Sequence, residues 1–537
     1  MPEILYYGNP SGAESGRVPV YTGQPGEEAI YEEHRFPMPF VSLEWEKKNK
    51  RWSAAMHTLP SPVPFANLRD QWWSMGVIAH EEATEFTLLS GPCASNGERS
   101  VIKAIQTGFL PYPNAYLNVP PSGIVEKTFY LQTAPIKREG SGFQPAIQAS
   151  LDLFKPYDTQ EFMTYAEIIE KKYRFALSRW YEEGEVAGFR KYPDRNHIVF
   201  GWCGQAAALG YALQVLGDDL QDPNIPTMVQ KSLDFLTQAE FYEHGFHTWY
   251  LPENNEWSRH QLLSQGQGML NFARAIHVGK TNQYDTTKWE QFLEKTATFH
   301  AKRILKEDWR PKSTNEGFFI APLCYAYRLF ENPLFLKAAE KAGKHYADRH
   351  LRMREPYWGG TLDARCEDKE GAFAALQGFL ELYETTQEKH YLHWARHACD
   401  VALTYLVIWD IDMPPGRLRD HDFNARGWTA VSPQNQHIDV YGVLIAPDVY
   451  RVGQHLNLPE YKQLAHVMFR GCGQLIDPYG SQGEQPQHTN YTQQRQAVDI
   501  HDLRGGYNET WTVFWITAHF LNAAAQFEEL GIELYAN

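Results

Sequence analysis

From about residue 160 to the C-terminus, apolar positions recur at the spacing of helix faces, and helices of two kinds alternate. An amphipathic helix with a charged face comes first, then a loop carrying aromatic and polar residues, then a far more apolar helix. The stretches 162–184 and 198–217 make the first such pair, with Gly184 ending the first helix, and 229–242 and 261–279 make the second. The pattern sounds six times. The apolar helices begin near Trp202, Gln265, Asn315, Asp368, Asp439 and Glu509, roughly 50–70 residues apart, a period longer than most solenoid repeats. In the fourth, Ala372, Phe373, Leu376, Phe379, Leu380 and Tyr383 form one stripe at helix period. This pattern predicts six helical hairpins closed into a ring, with one helix of each pair buried on all sides and six loops aimed at one mouth.

Residues 1–150 follow a different pattern. Short β-branched and aromatic segments, 85–90, 100–106 and 124–132, are separated by Gly, Pro and Asn clusters, which predicts an antiparallel β-sandwich. In 124–132 neither face is purely polar, so this strand is expected to be covered on both sides. The chain thus divides into a β-sandwich domain over 1–150 and an (α/α)6 barrel over 151–537, with 149–162 as connector.

At 537 residues the chain exceeds what one hydrophobic core usually supports, in line with this division. A formal charge of −15 without a run of basic residues argues against nucleic acid or an anionic membrane as partner. The six cysteines lie far apart without a CxxC pair and read as reduced buried thiols. The N-terminus has no basic and apolar leader pattern, and no apolar run is long enough to span a bilayer, so a cytoplasmic location is expected. A homo-oligomer is compatible with all of this. Aromatics make up 14% of the chain. Core packing accounts for most of them, and the remainder suits stacking on the apolar faces of sugars.

The loops ahead of the apolar helices hold the candidate chemistry. His247, Trp249, Gln265 and Gln267 belong to the second pair, Asn315 and Glu316 to the third, and Trp358, Asp363, Glu367, Asp368 and Glu370 to the fourth. The fifth offers Gln436, His437 and Asp439, and the sixth Arg504, Tyr507, Asn508 and Glu509. Glycosidic cleavage requires such a set: one carboxylic acid protonates the leaving oxygen, and a second carboxylate activates water or attacks the anomeric carbon. A carboxylate in the first turn of a helix also serves as a plain cap. The trio Glu367, Asp368 and Glu370 exceeds what one cap needs. No metal-ligand spacing, no nucleotide-binding glycine motif and no GxSxG elbow occurs, so neither a metal nor another cofactor is implied. Gly505 and Gly506 read as a tight turn, and the SQGQG run (264–268) as close helix packing.

With its six hairpins preceded by short strands, and with segments such as CEDKEGAFAALQGFLELYETT and SPQNQHIDVYG, the chain resembles the six-hairpin glycosidase superfamily, the (α/α)6 toroids, in members that carry an N-terminal β-sandwich. The resemblance implies a carbohydrate in the mouth of the toroid and an acid and a base carboxylate on loops between outer and inner helices. On that reading Asp368 or Glu370 is one catalytic carboxylate and Glu316, Asp439 or Glu509 its partner. Trp202, Trp249, Trp358 and Tyr507 stack on sugar rings, and Gln265, Asn315, His437 and Arg504 bind polar substituents; Arg504, Lys369 and His437 favour an acidic sugar such as a uronate. Three alternatives stand beside it: a lyase using Tyr507, Asn508, Arg504 and His437, a sugar epimerase, and a noncatalytic carbohydrate-binding protein.

Overall fold

The computed structural model describes residues 24–67, 70–91, 100–102, 109–111, 117–311, 313–355, 357, 368–430, 438–488, 504–508 and 512–535. Fourteen α-helices and a set of small antiparallel sheets are present among them. Strands β1 (Glu28–Glu32), β4 (Trp73–Ala79) and β5 (Thr84–Ser90) form one sheet, and β2 (Phe40–Lys47), β3 (Lys50–Thr58) and β8 (Phe129–Ile136) another; β6 (Ser100–Ile102) and β7 (Phe109–Pro111) pair separately. Tyr31, Met75 and Val77 of the first sheet share a small apolar cluster with Val41 and Met56 of the second.

The expectation for 124–132 is corrected here. Strand structure begins only at Phe129, Ile124 is 73% exposed and Leu131 67%, and β8 is an edge strand open to solvent. Mixed polarity in this segment reflects an uncovered edge.

Helix α1 (Gln144–Phe154) leads to the helical part, so the expected connector begins inside a helix and continues as turns from Lys155. The outer helices are α2 (Tyr165–Arg179), α4 (Ile225–Leu236), α6 (Thr287–Ile304), α8 (Pro333–His350), α10 (Lys389–Leu403) and α13 (Pro459–Cys472). The inner ones are α3 (Ala208–Leu220), α5 (Leu262–Thr281), α7 (Ile320–Phe330), α9 (Lys369–Thr386), α12 (Ala446–Leu456) and α14 (Phe514–Glu529), and a single turn α11 (Arg417–Asp420) lies in the fifth long loop. Inner helices pack in the order α3, α5, α7, α9, α12 and α14, and α14 returns to α3, closing the ring. Their burial follows from composition: Ala372 to Ala375 of α9 and Ala523 to Ala525 of α14 are shielded from solvent.

The hairpins run in a different register from the expected one. Each inner helix pairs with the outer helix that follows it, as α7 with α8, α9 with α10 and α12 with α13, and α14 closes on α2. The inner-to-outer turns are tight, and left-handed Gln221, Glu331, Gln387 and Asn457 end α3, α7, α9 and α12. The long loops run from outer to inner helix, so all six inner N-termini point at one mouth, as the ring closure requires. Helix α2 ends at Arg179 and not at Gly184. The chain continues as an antiparallel hairpin of Trp180–Glu183 with Val186–Phe189, and Gly184, at φ +60°, makes its turn.

The strand-rich part is anchored to the ring at several points. Trp409 Nε1 donates to the Phe36 carbonyl at 2.9 Å, Gln144 Nε2 to Asp400 at 2.6 Å, and the Trp72 and Trp409 rings lie 6.2 Å apart. Arg504 belongs to this junction. Only 3% exposed, it pairs with Asp70 at 2.9 Å, lies 5.1 Å from the Trp72 ring centre and donates to the Asp412 carbonyl. Arg504→Met leaves Asp70 as an uncompensated buried charge and is expected to cost ~3–5 kcal/mol, read as a lower midpoint in chemical denaturation.

Candidate active site

Helix α9 begins with a run of buried charge. Asp368, Lys369 and Glu370 are 7%, 1% and 7% exposed. Asp368 caps the helix, its carboxylate accepting from Gly371 N at 3.0 Å, while its own N–H donates to the Tyr357 carbonyl at 3.0 Å. Lys369 turns toward the neighbouring hairpin and forms a buried ion pair with Asp439. Asp439 opens the 3-10 segment Val440–Ile445 ahead of α12 and accepts from Tyr441 N at 2.9 Å and Thr429 Oγ1 at 3.2 Å. Each of these carboxylates caps the start of a helical segment, and the two starts meet here.

Tyr441 links this group to the first two hairpins. Its hydroxyl accepts from Gln267 Nε2 at 3.1 Å, and Gln267 Oε1 accepts from Trp202 N at 2.7 Å and Gln205 Nε2 at 2.6 Å. Asn271 and Asn522 extend the chain of amides to α14. Burial raises the Tyr441 hydroxyl well above its ordinary pKa, and the negative charges of Glu370, Asp439 and Asp368 add to the effect. His519 of α14 lies 5.3 Å from Tyr441, and burial lowers it to about 3, so it is a neutral imidazole. In SQGQG, a Cβ on Gly266 would sit 2.9 Å from the Phe318 carbonyl oxygen, which confirms close packing there, while Gln267 between the glycines reaches the mouth.

Glu484 completes the acidic group and was missed from sequence. It lies in the long loop after α13, half-buried. Burial pushes its carboxyl up to about 8; the negative charges of Asp439 and Glu370 raise it further, and Lys369 and Lys191 oppose them. A carboxyl raised by burial and set among other carboxylates is the pairing that general acid–base chemistry uses. Its loop is fixed on both sides. Buried Lys172 donates to Gln482 Oε1 at 2.7 Å, and Gln482 Nε2 reaches the Cys472 and Gln474 carbonyls at 2.7 Å. Tyr507, in the strand Gly506–Asn508 paired with Gln485–Gln487, accepts from Gly483 N and donates to its carbonyl at 3.3 Å. Gly480, at φ +86°, has Lys171 O 1.9 Å from where a Cβ would stand, so only glycine fits this bend.

Trp202 is half-buried with φ +44°, a conformation that costs a bulky residue energy and that its Gln267 bond holds in place. Trp249 is 7% exposed, flanked by Lys191 at 4.5 Å and Arg259 at 4.2 Å, so its ring is covered by cations. His247 is on the same loop, near the Arg259 carbonyl at 3.2 Å and stacked 4.6 Å from Tyr242.

Asp368, Glu370, Asp439, Trp202 and Tyr507 therefore gather around the mouth, and Trp249 and His247 line its side. Three candidates are placed elsewhere. Arg504 is in the junction described above. Gln265 is fully buried, accepting from Phe246 N at 3.3 Å and hydrogen-bonded to His300 at 2.8 Å, which makes it a brace for its loop. Glu316 turns outward to Arg303 at 2.6 Å and Trp309 Nε1 at 2.7 Å. Asn315 beside it is half-buried. Trp358, Asp363, Gln436, His437 and Glu509 lie outside the described residues, as does the side chain of Asn508. Among the described residues no cluster of His, Cys, Asp and Glu fit to hold a metal occurs, and no helix is long and apolar enough to cross a membrane. Cys324, Cys399 and Cys472 are buried free thiols and Cys203 is half-buried.

No protein-family model matches the chain, and no curated protein does. Solved structures similar to it include a D-mannose isomerase at 12% identity and TM-score 0.47, with 68% of this chain and 97% of that one covered. The GH76 α-mannanase of Bacteroides thetaiotaomicron is similar at 12% and 0.46, with coverage of 68% and 97%. The cellobiose 2-epimerase of Spirochaeta thermophila is similar at 11% and 0.45, with 73% and 99% covered.

Proposed function

We propose that the protein is a glycoside hydrolase working by carboxylate general acid–base catalysis, with the strand-rich part a β-sandwich that buttresses one side of the toroid. The observation that carries the reading is the buried group of carboxylates where α9 and the Val440–Ile445 segment begin, Asp368 and Glu370 beside the Lys369–Asp439 pair, and the raised carboxyl of Glu484 fits it. Glu484 donates its proton to the glycosidic oxygen as the bond to the anomeric carbon breaks. Glu370, or Asp368 beside it, acts from the start of α9 as base toward water or as nucleophile. Burial keeps the Glu484 carboxyl raised, and the negative charge of Asp439, tied to Lys369, adds to it. Trp202 offers the stacking face, and Tyr441 with the Gln267 network orients hydroxyls.

The reading is tested by incubating the protein with a panel of α- and β-aryl glycosides and oligosaccharides and separating products by chromatography. Glu370→Gln is expected to reduce turnover by ~10²–10⁴-fold with an unchanged circular dichroism spectrum. A product with an unsaturated ring and ultraviolet absorbance, an epimer of the substrate without cleavage, or full activity in both Glu370→Gln and Asp368→Asn would each overturn it.

A further inference from the structure

Charge in the mouth is divided. The floor carries Asp368, Glu370, Asp439 and Glu484 with the cation Lys369, while the side wall formed by the first two long loops carries Lys191, Arg259 and His197 around Trp249. Lys191 is 5% exposed, and no carboxylate lies within ion-pair distance of it among the described residues. Its ammonium ends 4.5 Å from the Tyr192 and Trp249 ring centres and meets the Cys203 thiol. Arg259 is exposed, held at φ +54° over the same indole, likewise without an ion pair there, while His197 has Glu253 at 3.7 Å. Withdrawing an ammonium from water without a counter-ion is costly, so a buried, unmatched lysine marks a place where an anion arrives from outside. The planar fork of Arg259 suits a carboxylate, and both cations lie over the ring of Trp249.

The Phe514 N–H donates to the Lys191 carbonyl at 3.2 Å, which ties this wall to the start of inner helix α14, and the Lys191 charge is felt at the Glu484 carboxyl. The wall and the acid are therefore neighbours. We infer that Lys191 and Arg259 bind the carboxylate of a uronic-acid unit and set the substrate class; this rests on the glycosidase reading. The cations come from residues that sequence reasoning did not single out, because Arg504 is buried elsewhere and Lys369 is paired to Asp439.

Binding of free D-glucuronate and D-glucose, followed by tryptophan fluorescence, tests the inference apart from catalysis. The native protein is expected to bind glucuronate at least about tenfold more tightly than glucose, as loss of a charge-assisted hydrogen bond of ~1.5–3 kcal/mol implies. Lys191→Met and Arg259→Met should each bring that ratio toward one. Arg259 is at the surface, so its variant keeps the test alive if Lys191→Met does not fold. Equal binding of the two sugars by the native protein, or a ratio unmoved in Arg259→Met, overturns the inference. If the preference for glucuronate holds but no glycoside is cleaved, the hydrolase reading fails and the acid-binding wall stands; cleavage without acid preference gives the reverse.

Discussion

Glu484→Gln is expected to lower kcat on unactivated glycosides by ~10²–10⁴-fold, the usual contribution of a positioned general acid. Substrates whose leaving group departs without a proton, such as dinitrophenyl glycosides, should lose far less. The pH dependence follows from the same group. The acid works protonated and its carboxyl is pushed up to about 8, so activity holds below that pH and falls as pH rises through it. The glutamine variant should lack this alkaline limb. Stability shifts in the same sense. Folded Glu484 keeps a proton that the unfolded chain releases above its ordinary value of 4.5, so the unfolded state binds fewer protons between those two values. Stability therefore declines as pH rises through that window, and Glu484→Gln should flatten the decline in a series of melting curves. Equal losses on activated and unactivated glycosides would remove Glu484 from the role.

Why sequence missed this acid has a physical answer. Asp368 and Asp439 announce themselves because a carboxylate before an apolar helix is an N-cap, and caps have a sequence signature. Glu484 sits in YGSQGEQPQ, a stretch with no periodicity, and its loop is held by Lys172 through Gln482, 310 positions away. The helical repeat was legible because six strongly apolar helices leave a six-fold beat. The hairpin register was not, because Gln221, Glu331, Gln387 and Asn457 fill the left-handed positions where glycine would have marked the tight turns. Prolines at the starts of α8 and α13 were the available hint. Trp180–Glu183 continues a helical pattern but pairs across Gly184 as a strand, a choice made by tertiary contacts. Arg504 looked like a ligand cation because its loop is polar. Its partner, Asp70, is more than 400 residues distant, beyond the reach of any local pattern.

The Lys369–Asp439 pair allows a sharper test than loss of activity alone. Lys369→Met strands a buried carboxylate and is expected to destabilise the fold by ~3–5 kcal/mol, seen as a lower melting temperature. Asp439→Asn strands the ammonium and should cost a similar amount, while the double variant, with neither charge present, should recover much of the loss. Stability alone would not tie the pair to the mouth. The titration of Glu484 does, because Asp439 raises that carboxyl and Lys369 lowers it. Lys369→Met should therefore move the alkaline limb of the activity profile above its native position, and Asp439→Asn should move it below. General loosening of the fold would shift both limbs in one direction. Opposite displacements measured on the residual activity of the two variants require both charges to act on one proton, and that proton is the one the leaving oxygen receives.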